Sequence, residues 1–383
     1  MAWAVSELAA HHRKCQDHFA QNNVIRLLVS HLAFETIEEH SRYTIAKRKK
    51  TSIHSVVLDS KGESEKSPAT SIDHEQDEKQ LANKMKPVVG GIHTEQQIAN
   101  VVSDTMVRRT SNNNKSKTEN QPQPQHVSLA GSSIKGGREY EDPQVKAEMK
   151  AMAARALWHL AKGNVSICSS ITESRALLCF AVLLEKGQEE VKYNSAMALM
   201  EITSVAEENT ELRRTAFKPT SPAAKAVVDQ LLKVVTGTDC DLLVPCINSL
   251  GNLARTFRAT ETRIIEHLVK LIDERETEVM LAAVNALIKF ASTDNYLHIL
   301  HCKSIILGNG VKPLIQLVYL GEQGIQTQAL ILMCYIAIHV PDCEALAKDG
   351  RNVLEWASKQ SFFMQDPLVD ELLPDAILKT TMY

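Results

Sequence analysis

Two short segments of the sequence combine histidine and cysteine at spacings that suit metal ligation. They are residues 11–18 (HHRKCQDH) and residues 298–302 (HILHC). A structural zinc site needs four ligands, which usually come as two pairs. Neither segment has an obvious second pair, so we interpret both as helix-surface histidines beside core cysteines. The sequence predicts no metal site.

Paired carboxylates occur at Glu189-Glu190 and in the acidic run 273–276 (DERE). Both segments have the composition of solvated helix ends and turns rather than of acid/base pairs in a cleft. The sequence also contains no phosphate-binding loop, nucleophile elbow or Cys/His constellation typical of catalysis. We therefore predict a protein that is not an enzyme and that needs no cofactor.

The elements that would carry these residues form a repeat of two helices. One helix pattern starts at four positions: Phe180, Leu231, Leu268 and Leu314. A second pattern, rich in Ala and Leu, follows each time 19 residues later, at Leu199, Leu250, Leu287 and Met333. These second markers are separated by irregular spacings of 51, 37 and 46 residues. A constant offset inside each unit and a variable length between units are typical of stacked helical repeats.

Composition agrees with a helical solenoid. Hydrophobic residues make up 44% of the 383 residues and aromatic residues only 5%, so Leu and Ala must supply most of the packing. The formal net charge of −3 creates no global field toward nucleic acid. The eight cysteines show no disulfide framework, which favours a cytosolic or nuclear protein. No apolar run approaches the ~20 residues of a membrane span, so we expect peripheral membrane association at most.

The repeat pattern divides the chain into four parts. Residues 1–50 are predicted to form a first unit that is truncated at its N-terminus. Residues 51–138 are rich in Ser, Asn, Gln, Lys and Glu and predict a disordered insertion, because such a segment buries too little apolar surface to offset its backbone entropy. Residues 139–365 continue the repeats. Pro367 and Pro374 interrupt the pattern, so residues 366–383 are predicted to be frayed.

The helices themselves resemble the armadillo repeat. The Ala/Leu pattern Ala153–Ala161 (AARALWHLA) and its copy Ala283–Ala291 (AVNALIKFA) are similar to the third helix of that repeat. The resemblance implies an all-α, right-handed superhelix of three-helix units, whose third helices line a concave groove. About five such units are expected.

Longer stretches resemble the plant "armadillo repeat only" proteins. They are AMAARALW (151–158), ITESRALL (171–178), AFKPTSP (216–222) and ASTDNY (291–296). The resemblance covers nearly the whole chain outside residues 51–138, and the N-terminal region of that family has no counterpart here. It implies a scaffold in polarised cell growth, with Rho-of-plants GTPases and their GTPase-activating proteins as partners.

The groove positions distinguish this chain from nuclear-import adaptors of the armadillo class. In those adaptors a Trp, and an Asn four residues later, recur on the third helices and clamp a basic peptide. The equivalent pairs here are Arg155/His159, Met197/Glu201, Asn248/Asn252, Asn285/Lys289 and Ile331/Tyr335. None of them contains Trp, so the sequence argues against import cargo as the ligand.

The first four pairs form a candidate partner-binding site, because residues four apart share one helical face. The hypothesis is a groove that hydrogen-bonds an extended segment of a partner. The alternative is an ordinary solvated face, and periodicity alone does not separate the two.

A basic run, Lys47-Arg48-Lys49-Lys50, stands where the first repeat pattern breaks. It suits three roles: a nuclear localisation signal, a contact with anionic lipid, or the cationic end of a helix that complements its dipole. We favour the helix end. The two other roles keep the nucleus and the plasma membrane open as locations.

The sequence thus predicts a non-enzymatic scaffold for protein partners. Two rival functions are a nuclear-transport adaptor and the substrate-binding arm of a ubiquitin ligase in a longer form. The missing Trp/Asn pairs argue against the first rival. Nothing in this chain resembles a U-box, and the truncated N-terminus leaves the second rival open for a longer form.

Overall fold

The computed structural model describes residues 1–33, 143–237, 240–344 and 346–382. The basic run Lys47–Lys50 and the predicted insertion 51–138 lie outside these residues. Within the described residues all regular structure is helical and no strand occurs, which confirms the all-α prediction. The seventeen helices are α1 (Ala2–His11), α2 (Arg13–Gln21), α3 (Val24–Ala33), α4 (Pro143–Ala161), α5 (Val165–Glu173), α6 (Ala176–Lys186), α7 (Glu189–Glu208), α8 (Thr210–Ala216), α9 (Pro222–Val235), α10 (Cys240–Asn252), α11 (Arg263–Lys270), α12 (Thr277–Ala291), α13 (His298–Leu307), α14 (Val311–Leu320), α15 (Gln323–His339), α16 (Arg351–Ala357) and α17 (Pro367–Thr381).

Seven of these helices form a continuous inner row in which each helix packs against the next. In chain order the row is α1, α4, α7, α10, α12, α15 and α17. The helices α6 and α9, and further along α14 and α16, make the corresponding contacts in an outer row. In the units that end in α7 and α15, two shorter helices precede the inner helix, which is the three-helix organisation that the armadillo resemblance implies.

The apolar markers of the sequence lie between these rows. Leu157, Leu199, Leu250, Leu287 and Met333 are all completely buried. They belong to one apolar core that runs through the repeats from α1 to α17. The constant 19-residue offset between the two markers of a unit therefore follows from packing. The second marker must contact the preceding outer helix at the same place in every unit.

Polar residues at the helix starts explain where the elements begin. The Asn164 side chain accepts a hydrogen bond from the Ile167 amide at 3.1 Å, directly after Gly163, which has a φ of +62°. The Ser221 side chain caps α9 in the same way, with proline at the first helical position. Such caps satisfy amides that the helix itself leaves without a partner.

The C-terminal segment 366–383, which we predicted to be frayed, instead contains the fifteen-residue helix α17. Asp366 caps α17 and accepts hydrogen bonds from the amides of Leu368 and Val369, so Pro367 occupies the first helical position, where a missing N–H costs little. Pro374 is on the exposed side. The buried side of α17 packs against α15 and adds a sixth unit to the five that were predicted.

Among the described residues, no single helix is long and apolar enough to cross a membrane. The bent pair α5 and α6 reaches the required length and apolarity only when its two helices are taken together. Most of the apolar side chains in α6 are buried in the core.

Candidate functional site

A depression of about 400 Å³ opens on the inner row between α7 and α15. Five of the eight predicted groove residues line it: Glu201, Asn248, Asn252, Asn285 and Lys289. Met200, Ser204 and Gln328 complete its polar and apolar margin. The repeat register therefore brings together the predicted residues of three successive inner helices. We call this depression, with these eight residues, the central groove.

Lys289 is held across the central groove by two partners. Its Nζ lies 2.5 Å from Oε2 of Glu207 on α7 and 2.6 Å from Oδ1 of Asn252 on α10. Because Lys289 itself is on α12, this side chain joins three successive inner helices. We call the three residues Lys289, Glu207 and Asn252 the lysine bridge.

Both polar groups of the Asn252 side-chain amide have partners within the protein. Its Nδ2 donates to Oγ1 of Thr203 at 3.2 Å and approaches the carbonyl oxygen of Met200 at 3.4 Å. Its Oδ1 accepts from Lys289, and the residue is buried. A buried amide with all its partners inside the protein stabilises the stack and has little capacity left for a ligand.

A glycine allows the inner helices to approach at this point. A Cβ atom on Gly251 would lie 2.8 Å from Cα and 2.9 Å from Cβ of Ala286, and 3.6 Å from Cδ of Lys289. The missing side chain thus lets α10 and α12 meet closely beside the lysine stem. This is a position where a close backbone approach requires glycine.

A second row of polar groups in the central groove keeps its hydrogen-bonding capacity. Asn248 and Asn285 occupy equivalent positions on α10 and α12, and Gln328 lies on the following helix. In the part of the chain that the structure describes, the side chains of Asn285 and Gln328 form no hydrogen bond, and Asn248 directs Nδ2 only at Sδ of Met200, 3.8 Å away. We call Asn248, Asn285 and Gln328 the amide row.

The predicted pair Arg155 and His159 lies on α4, apart from the central groove. Arg155 Nη2 forms a salt bridge of 2.9 Å with Oε1 of Glu7 on α1. The His159 ring stacks on Trp158 with its centroid 4.4 Å away. Burial, and then the charge of Arg155, hold the pKa of His159 below its usual value. Arg155 thus joins α1 and α4, whereas the His159 ring packs on a neighbour of its own helix.

The remaining predicted positions do not line the central groove either. Met197 is partly buried on α7. Ile331 and Tyr335, the register equivalents of Asn285 and Lys289 on α15, are buried in the core. The polar face that the repeat pattern marks therefore ends before α15, except for Gln328.

The histidine and cysteine segment 298–302 is part of the packing, whereas His11, His12 and His18 of the first segment are exposed. His301 is buried with Nδ1 3.0 Å from the carbonyl oxygen of Phe290, and burial lowers its pKa. Burial raises the pKa of the Cys302 thiol to about 12, which keeps it protonated and unreactive. Across the described ranges, no three His, Cys, Asp or Glu side chains come together in a way that could hold a metal ion.

Four contributors escaped the sequence analysis: Met200, Ser204, Glu207 and Gln328. Each lies outside the two positions per helix that the repeat comparison followed. Gln328 is three residues before Ile331, one helical turn along the same face, so a scan of neighbouring turns would have found it. Glu207 carried no such signal, because its partner Lys289 is 82 residues away along the chain.

Comparison with solved structures shows the fold. A designed armadillo repeat protein aligns with a TM-score of 0.51 and 20% identity, over 62% of this chain and 94% of that chain. Computationally designed armadillo repeat proteins for modular peptide recognition align with a TM-score of 0.50 and 20% identity, over 63% and 95%. A further designed armadillo repeat protein, in complex with the peptide (KR)4, aligns with a TM-score of 0.50 and 19% identity, over 62% and 95%.

These likenesses show that the chain adopts the armadillo-repeat superhelix. No protein-family model matches the sequence, and no curated protein sequence matches it.

Proposed function

We propose that this protein is a non-enzymatic scaffold whose central groove binds an extended segment of a protein partner. The observation that carries this proposal is the amide row on successive inner helices, in which Asn285 and Gln328 form no hydrogen bond among the described residues and Asn248 has only its contact with Sδ of Met200. Side-chain amides have both a donor and an acceptor, so each can pair with both groups of a peptide unit. An extended segment presents such units on both sides of its backbone.

The dimensions of the fold suit such a ligand. Packed helices are about 8–10 Å apart, and an extended chain advances roughly 3.3 Å per residue. About three residues of ligand therefore span one repeat, and about nine span the helices from α7 to α15. The structural neighbour in complex with the peptide (KR)4 supports the ability of this fold to hold a peptide.

We further propose that the partners are Rho-of-plants GTPases and their GTPase-activating proteins, in the cytoplasm or at the inner surface of the plasma membrane. Support for these partners comes only from the sequence resemblance to the plant "armadillo repeat only" proteins. All four resembling stretches lie among the described residues, and residues 151–158 lie entirely on α4. None of the four lines the central groove, so the resemblance and the groove are independent arguments.

The experiment measures binding of the full chain to a Rho-of-plants GTPase, loaded with GDP or GTP, and to its activating protein. The test variant is Asn248→Ala/Asn285→Ala. The predicted groove residues Arg155 and Asn252 are left unchanged, because both have structural partners and their substitution would affect folding as well as binding. The control is Gln316→Ala/Asn352→Ala, which removes two exposed amides from the outer helices α14 and α16.

Two amides that each contribute about 1 kcal/mol predict a roughly 30-fold weaker Kd for the groove variant. The control variant should bind within about twofold of the wild type. Equal binding by both variants would move the interaction away from the central groove. If the chain binds neither the GTPase in either nucleotide state nor the activating protein, the assignment of the partners is wrong.

A further inference from the structure

Glu201 is a carboxylate of the central groove whose charge has no counterion among the described residues. Glu7 pairs with Arg155, and Glu207 pairs with Lys289. Glu201 is partly buried in the central groove and forms no ion pair or hydrogen bond within the residues that the structure describes. A partly desolvated carboxylate without a partner is costly, and a cation that reaches it gains more than at an exposed site.

Lys289, which lines the same groove, is not available to neutralise Glu201. Two of the three N–H groups of its ammonium are engaged by Glu207 and Asn252. The lysine bridge thereby holds the positive charge of Lys289 beside Glu207. The charge on Glu201 remains open to a group from outside.

The immediate surroundings of Glu201 offer acceptors and an apolar wall. Ser204 follows it by three residues along α7, and both residues line the groove. Asn248 turns its Nδ2 toward Sδ of Met200, so its Oδ1 remains free to accept. Met200 adds a polarizable apolar surface beside these acceptors. Several acceptors around one carboxylate, next to an apolar surface, match a planar guanidinium on an aliphatic stem.

We infer that the partner segment places a single arginine against Glu201, followed along the groove by uncharged residues that meet the amide row. This inference rests on the proposed function, because it names the chemistry of the segment that the central groove takes. The pattern is limited to one cation, because Glu201 is the one carboxylate that lines the described groove and the charge of Lys289 is already paired with Glu207. The expected ligand therefore differs from a uniformly basic peptide.

The test uses a phage-displayed library of random nine-residue peptides, panned against the full chain. Three variants are panned in parallel: Glu201→Gln, Glu201→Lys and the matched control Glu208→Gln. Glu208 lies on the same helix, is exposed and does not line the central groove, so its substitution changes the net charge equally. Circular dichroism confirms that each variant is folded.

We expect the wild type and Glu208→Gln to enrich arginine at one position of the recovered peptides. Glu201→Gln should lose this enrichment, and Glu201→Lys should replace it with Asp or Glu. For one recovered peptide, changing its arginine to glutamine should weaken binding to the wild type about tenfold. The same change should leave binding to Glu201→Gln unchanged.

Arginine enrichment that persists with Glu201→Gln, or recovered peptides without arginine, would overturn the inference while leaving groove binding intact. Recovered peptides that bind equally well to Asn248→Ala/Asn285→Ala would overturn the proposed function, whatever their arginine content. A library that yields no binding peptide would overturn both.

Discussion

The central repeats and the repeat that contains α15 use the same positions of the inner helix in opposite ways. On α12, Asn285 and Lys289 face the central groove and are partly exposed. On α15, the equivalent residues Ile331 and Tyr335 are buried in the core. The two helices share one repeat register but present different surfaces.

The neighbour of each helix explains the difference. Helix α15 is apolar on nearly all sides, which is typical of a helix that is enclosed by others. It packs against α12 on one side and against α17 on the other. A groove position therefore stays open only where a polar residue occupies it, and the equivalent positions of α15 contribute to the packing instead.

The largest effect on stability is expected for substitutions in the apolar core that the repeats share. Leu157→Asp and Leu287→Asp each place a charge at a completely buried position. Burying an unpaired charge costs several kcal/mol. We expect a large drop in melting temperature by circular dichroism and a broadened urea transition. Gln316→Asp, at an exposed position, is the control, and an unchanged transition in the leucine variants would show that the register is wrong.

Ile331 and Asn285 occupy equivalent positions, but their different burial predicts different effects of substitution on stability. Ile331→Ala should destabilise the protein by about 2–4 kcal/mol, because it leaves a cavity in the core. Asn285→Ala should change the free energy of unfolding by less than about 0.5 kcal/mol, because its amide has no partner in the described structure. Urea unfolding of both variants measures the difference, and similar values would remove the distinction between the two regions.

Two glycines in these regions should respond differently to one methyl group. Gly251→Ala should destabilise the protein by about 1–3 kcal/mol, because the new Cβ atom collides with the backbone of Ala286. Gly324, on α15, has nothing within 4 Å of that position, so Gly324→Ala should be neutral or stabilising by up to about 1 kcal/mol. Thermal melting of both variants decides the point, and tolerance of Gly251→Ala would mean that α10 and α12 are less closely packed.

The lysine bridge should contribute modestly despite its short distances. The Lys289 side chain is 36% exposed and that of Glu207 is 19% exposed, so solvent screens part of the attraction. A double-mutant cycle with Lys289→Met and Glu207→Gln should give a coupling energy of about 1 kcal/mol or less, which decreases in 1 M salt. A coupling energy that does not change with salt would mean that the contact acts through packing.

The smallest effect concerns pH and the C-terminal repeats. Burial lowers the pKa of His301 in the folded protein, whereas the unfolded chain has a pKa near 6.5. The stability that this histidine contributes is therefore fully present above about pH 6.5 and is lost as the pH falls through the folded value. The drop in melting temperature between pH 7.5 and pH 5.5 should be smaller in His301→Gln. An identical drop would assign the pH dependence to other groups.

Most of the fold could be predicted from the sequence because it depends on local pattern. The 19-residue offset and the Ala/Leu helices identified the inner helices α7, α10, α12 and α15. The C-terminal unit was missed because Pro367 and Pro374 were interpreted as breaks. A proline after a capping aspartate starts a helix, and the tertiary contacts of Val369 and Leu373 stabilise the rest of α17.

The candidate site could be predicted only in part. Of the residues that the repeat register selected, Glu201, Asn248, Asn252, Asn285 and Lys289 line one depression. It could not show which of them are already occupied, since Glu207 and Lys289 are far apart in sequence. Gln328 entered the site from an adjacent turn that the pattern did not follow.

The sequence by itself determined that the chain stacks helical repeats with one apolar core, because hydrophobic periodicity and chain length between markers are local properties. Only the tertiary structure decided which inner-face residues remain open to a partner. Whether a side chain is free depends on contacts across two repeats, such as that of Lys289 with Glu207, and on how a neighbouring helix covers it. That is why Asn252 and Asn285, alike in type and on adjacent inner helices, have different roles.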